Sequence, residues 1–471
     1  MTDLWKPSGL AIGKLIANRE ITSQEVVRTF FERIDRINPK ISAYVTLCQE
    51  EALTEAKSVD ESLDKGEKPS NPLFGVPVSI KDLIETRGVL TTYGSTFFKD
   101  NVPEMDAVLV ERLRSAGCPI LGKTNTPEFG GKFATDNLLF PPTRNPWNLE
   151  RSPGGSSGGA AAQVASGLGP LAVGNDGGGS IRVPSCLCGV FGIKPQFGRV
   201  PSWPRHDAWS TLNHEGPITR TVRDASAMLD IMAGPDDRDR SSLPAPGLSY
   251  LEACEGDING LRVAWSPDLG YGRVDPEVKT ICEEAAYTFK DFGCTVEEAA
   301  PTWECPDQIF LNIIVPRMAT WLEAELPEGF QEAMDPMLQV FLPLADQLTS
   351  RDAMRAHFGP DVIWDVLEPF FRTYDLWLTP TVAVPSYPLG IFGPEEIAGE
   401  PVESALLPFF TFPFNLTGQP AASVPAGFTS DGLPVGLQII GRRYQDHRVL
   451  RAARCFEEAR SWHDRWPRIA K

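Results

Sequence analysis

The spacing of apolar residues near the start of the chain predicts amphipathic helices. Residues 22–25 read Thr-Ser-Gln-Glu, a pattern typical of a helix start in which the Thr and Glu side chains cap the first turn. Apolar residues follow with the period of a helix that packs one face on a core: Val26, Val27, Phe30, Phe31, Ile34 and Ile37. We therefore expect residues 1–65 to form N-terminal helices.

Short apolar runs between further helical patterns predict the strands of a sheet. Residues 76–80 form a buried strand in this interpretation, and the run ends abruptly at Lys81. A helical pattern from residue 107 leads to a strand at 119–121, and a helix at 160–167 leads in the same way to a strand at 171–173. This alternation favours an α/β fold, in which helices cover a sheet.

The segment 174–180, Gly-Asn-Asp-Gly-Gly-Gly-Ser, is predicted to be a loop, because consecutive glycines disfavour both helix and strand. Further along, the pattern predicts a helix at 225–233, a polar linker at 236–246, and strands at 261–264, 376–381 and 433–441. Residues 303–345 are rich in Phe, Met and Leu. They are interpreted as a helical lid or pocket wall, with ordinary core helices as the alternative.

Composition and charge narrow the classes of partner. The chain has 471 residues and a formal net charge of −18, which repels polyanions, so nucleic acid is not expected as a partner. The N-terminus lacks a signal-peptide pattern, and no run of about 18 apolar residues occurs. We therefore expect a cytoplasmic protein that does not bind a membrane.

The nine cysteines are scattered and odd in number, which does not indicate a disulfide framework. Cys186 and Cys188 resemble a metal-ligand pair, but none of the five histidines stands at zinc spacing, and both cysteines are interpreted as core residues. No metal and no cofactor are expected.

Two glycine-flanked serine clusters between residues 153 and 182 are the strongest chemical signal. Glycine neighbours let the backbone expose a serine hydroxyl and direct N–H groups at a developing oxyanion, and Gly177 to Ser180 are candidates for those donors. Lys81 is the candidate base, provided that burial lowers its pKa. Taken alone, the serine clusters also fit a flexible linker, and Lys81 also fits an ion pair with Asp82. A glycine-rich loop could instead bind phosphate, but the spacings typical of phosphate-binding loops are absent here.

Taken together, the motifs resemble the amidase signature family. The resemblance is dense over residues 70–225 and returns at 375–445. The matching segments are GVPVSIKD at 75–82, GKTNTPEF at 122–129, NPW at 145–147, GGSSGG at 154–159, DGGGSIR at 176–182, CGVFGIKP at 188–195, GPITR at 216–220 and GLPVGLQ at 432–438.

The resemblance implies a role for each residue that matches a family motif. Ser180 is the acylated nucleophile, Lys81 the base, and Ser156 the bridging serine, since it precedes the nucleophile by 24 positions and follows a peptide bond that is cis in the family. The N–H groups of Gly177, Gly178, Gly179 and Ser180 would form the oxyanion hole. Gly177 departs from the family, which usually carries a side chain there.

Other residues near the motifs receive supporting roles. Asp176 and Arg182 are expected to form an ion pair that fixes the nucleophile loop, with recognition of an acidic substrate by Arg182 as the alternative. The stretch 124–131 is expected by resemblance to line the acyl pocket, with Asn125 and Gly130 as substrate-binding residues. A pocket for an apolar group is suggested by Trp203, Trp209, Phe310, Ile313, Ile314, Met318, Trp321, Met337, Leu338 and Phe341.

The fold implied by resemblance is one α/β/α sandwich over residues 1–471, built around a large mixed, mostly parallel sheet, with a homodimer as the expected assembly. The implied function is hydrolysis, through an acyl-enzyme, of the C–N bond of a small hydrophobic or aryl carboxamide, with carbamates (urethanes) and esters as related substrates. Two alternatives are the glutaminase subunit of a tRNA-dependent amidotransferase and an inactive family member. Residues 199–215 lack the Arg-Tyr-Gly-Leu-like run usual in such subunits.

Overall fold

The computed structural model describes residues 4–204 and 211–471. Eleven of its strands form one sheet, and two short strands form a hairpin. The strands are β1 (Tyr44–Leu47), β2 (Val78–Lys81), β3 (Ile120–Thr124), β4 (Leu171–Asp176), β5 (Phe191–Lys194), β6 (His214–Thr219), β7 (Arg262–Trp265), β8 (Thr295–Glu298), β9 (Leu376–Pro380), β10 (Glu396–Ile397), β11 (Glu400–Pro401), β12 (Ala421–Phe428) and β13 (Pro434–Gly441).

Helices cover the sheet. They are α1 (Gly9–Ala17), α2 (Ser23–Ile41), α3 (Gln49–Asp64), α4 (Val108–Ser115), α5 (Gly158–Ala165), α6 (Arg182–Cys188), α7 (Val222–Met232), α8 (Tyr250–Ala253), α9 (Pro276–Tyr287), α10 (Asp307–Glu325), α11 (Pro336–Gln347), α12 (Ser350–Thr373), α13 (Pro413–Leu416) and α14 (Asp446–Ala459). Every residue of β13 is buried, as expected for a central strand with both faces covered.

The strand order is β1-β3-β2-β4-β6-β5-β12-β13-β9-β7-β8. The prediction of an α/β fold with a large mixed sheet is confirmed, but the expectation of a mostly parallel sheet is wrong. Parallel pairing joins β2 to β3 and β4, and β7 to β8 and β9, whereas the six other neighbouring pairs are antiparallel. The difference arises because β5, β6 and β12 enter the middle of the sheet, and none of the three was predicted as a strand.

The helix start predicted at residue 22 is confirmed, since Thr22 and Glu25 form a reciprocal cap on α2. The boundary predicted for the glycine loop is wrong. Gly174, Asn175 and Asp176 belong to β4 and pair with β6, so the loop begins at Gly177. Backbone hydrogen bonds from β6 extend β4 through Gly174, although glycine disfavours strands. As a result, the end of β4 lies beside the end of β2, where Lys81 projects.

Candidate active site

Lys81 occupies the last position of β2, between the parallel strands β3 and β4. Its side chain is completely buried. Its Nζ lies 2.7 Å from Ser156 Oγ and 2.6 Å from Asn175 Oδ1. The first contact joins a buried amine to a serine hydroxyl, which is the geometry that a proton relay requires.

Burial disfavours the charged form of a lysine. For Lys81, burial is the largest effect and lowers the pKa from 10.5 to about 7, although the negative charges of Glu215 and Asp176 act in the opposite direction. About half of the Lys81 side chains are therefore neutral at pH 7. A neutral amine has a lone pair and can accept a proton.

The two adjacent serines of the first cluster have different roles in the structure. Ser156 contacts Lys81, whereas Ser157 donates through Oγ to the carbonyl of Asn175 at 3.2 Å and through its backbone N–H to the carbonyl of Ser180 at 3.1 Å. The Gly155–Ser156 peptide bond is cis, as the resemblance implies. These contacts favour Ser156 as the bridging residue and give Ser157 the task of holding the Ser180 loop.

Ser180 lies almost buried at the edge of the same cavity as Ser156. Within the described part of the chain, its hydroxyl has no hydrogen-bond partner, and no acceptor lies opposite the backbone N–H groups of residues 177–180. Buried backbone donors are normally paired, so a row of unpaired donors beside a serine marks a place for an external acceptor. This arrangement can stabilise the oxyanion that forms on a carbonyl oxygen when the Ser180 hydroxyl attacks the carbonyl carbon.

The glycines of this loop are packed to different degrees. A Cβ at Gly179, where φ is +139°, would lie 2.0 Å from Thr411 Oγ1, and one at Gly178 would lie 2.8 Å from Phe310 Cζ. A Cβ at Gly177 would meet nothing within 4 Å. Gly178 and Gly179 are therefore required by close packing, whereas Gly177 leaves open space.

The expected ion pair between Asp176 and Arg182 is present and completely buried. The guanidinium donates twice to the carboxylate, at 3.0 Å and 2.8 Å, and its remaining donors reach Thr411 O, Gln438 Oε1 and Asn415 Oδ1. Burial alone would raise the pKa of Asp176, but the charge of Arg182 outweighs it and holds the pKa well below its usual range. Because the guanidinium is fully engaged, Arg182 has no donor left for an acidic substrate.

A cavity of about 240 Å³ borders Ser156, Asn175 and Ser180. Its volume is somewhat below the ~300–1,000 Å³ typical of sites for drug-sized ligands, which favours a small ligand. It is lined by Leu83, Phe129, Gly130, Gly131, Lys132, Phe133, Ser156, Asn175, Gly177, Gly178, Ser180, Leu212, Asn213, Phe310, Leu311, Ile314, Val315, Met318, Phe341, Phe392, Ala405 and Leu406. Lys132 is the one charged side chain among these lining residues.

A family model described as Amidase matches residues 25–450. The chain belongs to the amidase family. An acylamidase of Rhodococcus erythropolis is 44% identical over 454 residues, covering 96% of this amidase and 95% of the relative. The amidase is also 34% identical to a glutamyl-tRNA(Gln) amidotransferase subunit from a Sulfurihydrogenibium species, over 99% of its own length and 100% of the relative.

The fold of the amidase is similar to that of a bacterial aryl acylamidase of the amidase signature family. The two structures superpose with a TM-score of 0.92 at 30% identity, over 99% of this chain and 98% of the other. The resemblance of the sequence motifs to the amidase signature family is therefore confirmed, and the chain is a hydrolase that acts on amides.

The segment 303–345 of the amidase contributes helices α10 and α11 to the wall of the cavity. Of the ten apolar residues expected in a pocket, Phe310, Ile314, Met318 and Phe341 line this cavity. Trp203 and Trp321 line a second cavity that adjoins it through Ile314 and Met318. Three others line neither cavity: Ile313 and Leu338 are buried, and Met337 is the second residue of α11. Trp209 lies outside the described residues.

Two residues expected to bind substrate are placed differently. Asn125 lies away from the cavity, because its buried amide donates to Thr143 Oγ1 at 3.0 Å and to the carbonyl of Pro141 at 3.1 Å. It fixes the loop before α5, and its expected place in the pocket is not found. Gly130 lines the cavity, and a Cβ there would lie 3.2 Å from Ser156 Oγ.

Asn175 also belongs to this site, although its role was not predicted from the sequence. It lines both cavities and contacts Lys81, yet its position among glycines assigned it to a loop. The alternation of side chains along β4, which extends through Asp176, was the signal that could have placed it.

Other features of the described residues concern ligands and membranes. Residues 4–204 and 211–471 hold no group of three or more His, Cys, Asp or Glu side chains suited to a metal ion. Every helix in these ranges is too short or too polar to cross a bilayer. All nine cysteines are free, and Cys186 and Cys188 are buried in the core.

Proposed function

We propose that this amidase hydrolyses small carboxamides with a hydrophobic or aryl group, through an acyl-enzyme on Ser180. The observation that carries the proposal is the contact of Lys81 with Ser156, which lines a mostly apolar cavity together with Ser180. Carbamates and activated esters present the same carbonyl carbon and belong to the same proposed range.

In the proposed reaction, neutral Lys81 takes the hydroxyl proton of Ser156 while Ser156 takes that of Ser180. The Ser180 oxygen then forms a bond to the carbonyl carbon, and the carbonyl electron pair moves onto the oxygen held by the N–H groups of residues 177–180. When the C–N bond breaks, charged Lys81 returns its proton through Ser156 to the leaving nitrogen. Water repeats the attack on the ester, releases the acid and restores Ser180.

The cavity supports an apolar substrate over glutamine. Free glutamine carries a carboxylate and an ammonium group, and burying either group without a partner is costly. Lys132 is the one charged residue in the described lining, and its Nζ already lies 2.8 Å from Asp136 Oδ2 and 2.6 Å from Asp335 Oδ2. The two carboxylates therefore already pair with the positive charge of Lys132 before any ligand binds.

The test is a hydrolysis screen of the purified chain over an aliphatic amide, p-nitroacetanilide, glutamine, ethyl carbamate and p-nitrophenyl acetate. We expect the anilide to be cleaved and Ser180→Ala to lower the rate at least about 1,000-fold. Ser226→Ala is the matched control, because this buried serine lies on α7, is not among the residues that line the cavity, and donates to the backbone carbonyl of Val222. Cleavage of glutamine but not of the anilide or carbamate would overturn the proposal.

A further inference from the structure

The amine of Lys81 has to present its lone pair to Ser156 rather than an N–H group. A neutral lysine amine carries two N–H groups and one lone pair, and rotation about the last C–N bond exchanges them. Two oxygens lie within hydrogen-bond distance, Ser156 Oγ at 2.7 Å and Asn175 Oδ1 at 2.6 Å. An amide oxygen accepts hydrogen bonds and cannot donate one, whereas a hydroxyl can do both.

This difference assigns the two contacts. If an N–H of Lys81 points at Asn175 Oδ1, the lone pair is free to face the O–H of Ser156. We propose that Asn175 is a positioning residue, whose amide oxygen turns the Lys81 amine so that it can take the Ser156 proton. The inference rests on the proposed role of Lys81 as the base.

The backbone of Asn175 is held from two sides, so its side chain has a fixed origin. It pairs across the sheet with Glu215 of β6, and its carbonyl accepts the hydroxyl of Ser157 at 3.2 Å. The side chain therefore reaches Lys81 from a strand rather than from a mobile loop. Sites built on strands hold their geometry more closely than sites built on loops.

The absence of charge on the Asn175 amide also affects the pKa of Lys81. Lys81 already experiences the negative charges of Glu215 on β6 and Asp176 on β4, which favour its protonated form. Two charged residues lie next to Lys81: Asp82, which follows β2, and Lys123 on β3. Their charges act on each other. A carboxylate at position 175 would add a third negative charge in direct contact with Nζ. An opposite charge at such a distance shifts a pKa by about 1–3 units.

The experiment compares the pH dependence of kcat/KM on p-nitroacetanilide for the wild type, Asn175→Asp and Asn175→Leu. We expect Asn175→Asp to move the rise in activity about 1–3 pH units upward and to regain activity at high pH. Asn175→Leu keeps the size of the side chain but removes the acceptor, so we expect kcat to fall about 10–100-fold with little change in KM.

The control is Asn148→Asp, which makes the same charge change at an exposed turn where the residue accepts the N–H of Glu150. It should leave the profile unchanged. An Asn175→Asp profile that coincides with the wild type, or an Asn175→Leu enzyme with full kcat, would overturn the inference. Thermal unfolding of each variant separates a folding defect from a catalytic one, since a defect in folding lowers activity equally at all pH values.

A parallel Lys81→Met variant separates this inference from the proposed function. If Lys81→Met is inactive and the Asn175 variants behave as the wild type, only the role of Asn175 is wrong. If Lys81→Met keeps its activity, the base itself is wrong, whatever the Asn175 variants do.

Discussion

The titration of Lys81 predicts how catalysis depends on pH. Because burial lowers the pKa of Lys81 to about 7, the amine is neutral in about one-tenth of the molecules at pH 6, half at pH 7 and nine-tenths at pH 8. The proposed reaction needs the neutral form. We therefore expect kcat/KM to rise about tenfold per pH unit below pH 7 and to level off above pH 8.

The assay is the initial rate of p-nitroacetanilide hydrolysis between pH 5.5 and 9, at substrate concentrations well below KM. This substrate does not ionise in that range, so the profile of kcat/KM reports groups of the free enzyme. One neighbouring group also titrates near the lower end, since burial raises the pKa of Asp82 to about 6. Asp82→Asn removes that group and should leave the rise near pH 7 in place.

Three results would refute this reasoning. A flat profile would mean that no base titrates in the range. A rise near pH 10 would mean that Lys81 behaves as an ordinary exposed lysine, despite its complete burial. Loss of the rise in Asp82→Asn would assign it to the carboxyl group and not to the amine.

Three substitutions test the surroundings of the triad. Asp176→Asn leaves the buried charge of Arg182 without its carboxylate, so we expect the free energy of unfolding in urea to fall by about 3–5 kcal/mol. An unchanged midpoint of urea unfolding would contradict a stabilising role for this ion pair. Gly177→Val fills open space at the cavity, so kcat/KM should fall for anilides with long acyl chains while acetanilides react normally. Equal losses for both substrates would mean that loss of space for the acyl chain is not the cause. Gly130→Ala places a Cβ 3.2 Å from Ser156 Oγ at a φ of +71°. We expect kcat to fall at least about tenfold and the free energy of unfolding to fall by about 1–2 kcal/mol. Full activity would show that the added methyl group does not crowd Ser156.

The sequence identifies strands where apolar residues are continuous and loses them where glycine or proline interrupts the run. β2 and β13 were predicted close to their observed bounds. β6 carries Gly216 and Pro217, and β12 carries Pro425, residue types that are depleted in strands and typical of turns. Backbone pairing with neighbours on both sides stabilises these strands regardless of their local preference, which is why the parallel character of the sheet was overestimated.

The same limit applies within the site. Motifs located Lys81, Ser156 and Ser180 because each stands among residues whose pattern is rare. The contact of Asn175 with Lys81 depends on the register between β4 and its neighbours, and a one-residue slip would turn that side chain to the other face. The cavity wall depends on how α10 and α11 pack, so its apolar character was predictable but the division between lining and core residues was not.

Three lysines in the described part of the chain are completely buried: Lys81, Lys123 and Lys194. Their contacts show why burial alone does not identify a base. Burial lowers the pKa of Lys123 to about 8, and that of Lys194 well below its usual value. By pKa alone, each of the three could be neutral near physiological pH. The difference lies in what each amine touches.

Lys123 donates to a backbone carbonyl and to the hydroxyls of Thr86 and Thr91, at 2.9 Å and 2.8 Å, and both hydroxyls donate onward to carbonyls. Lys194 reaches only backbone carbonyls among the described residues. Neither amine touches a hydroxyl that opens onto the cavity, so neither can pass a proton there. Lys81 can, because its partner Ser156 lines the cavity together with Ser180. What distinguishes the proposed base is therefore its connection through one hydroxyl to the cavity, a property of the assembled fold.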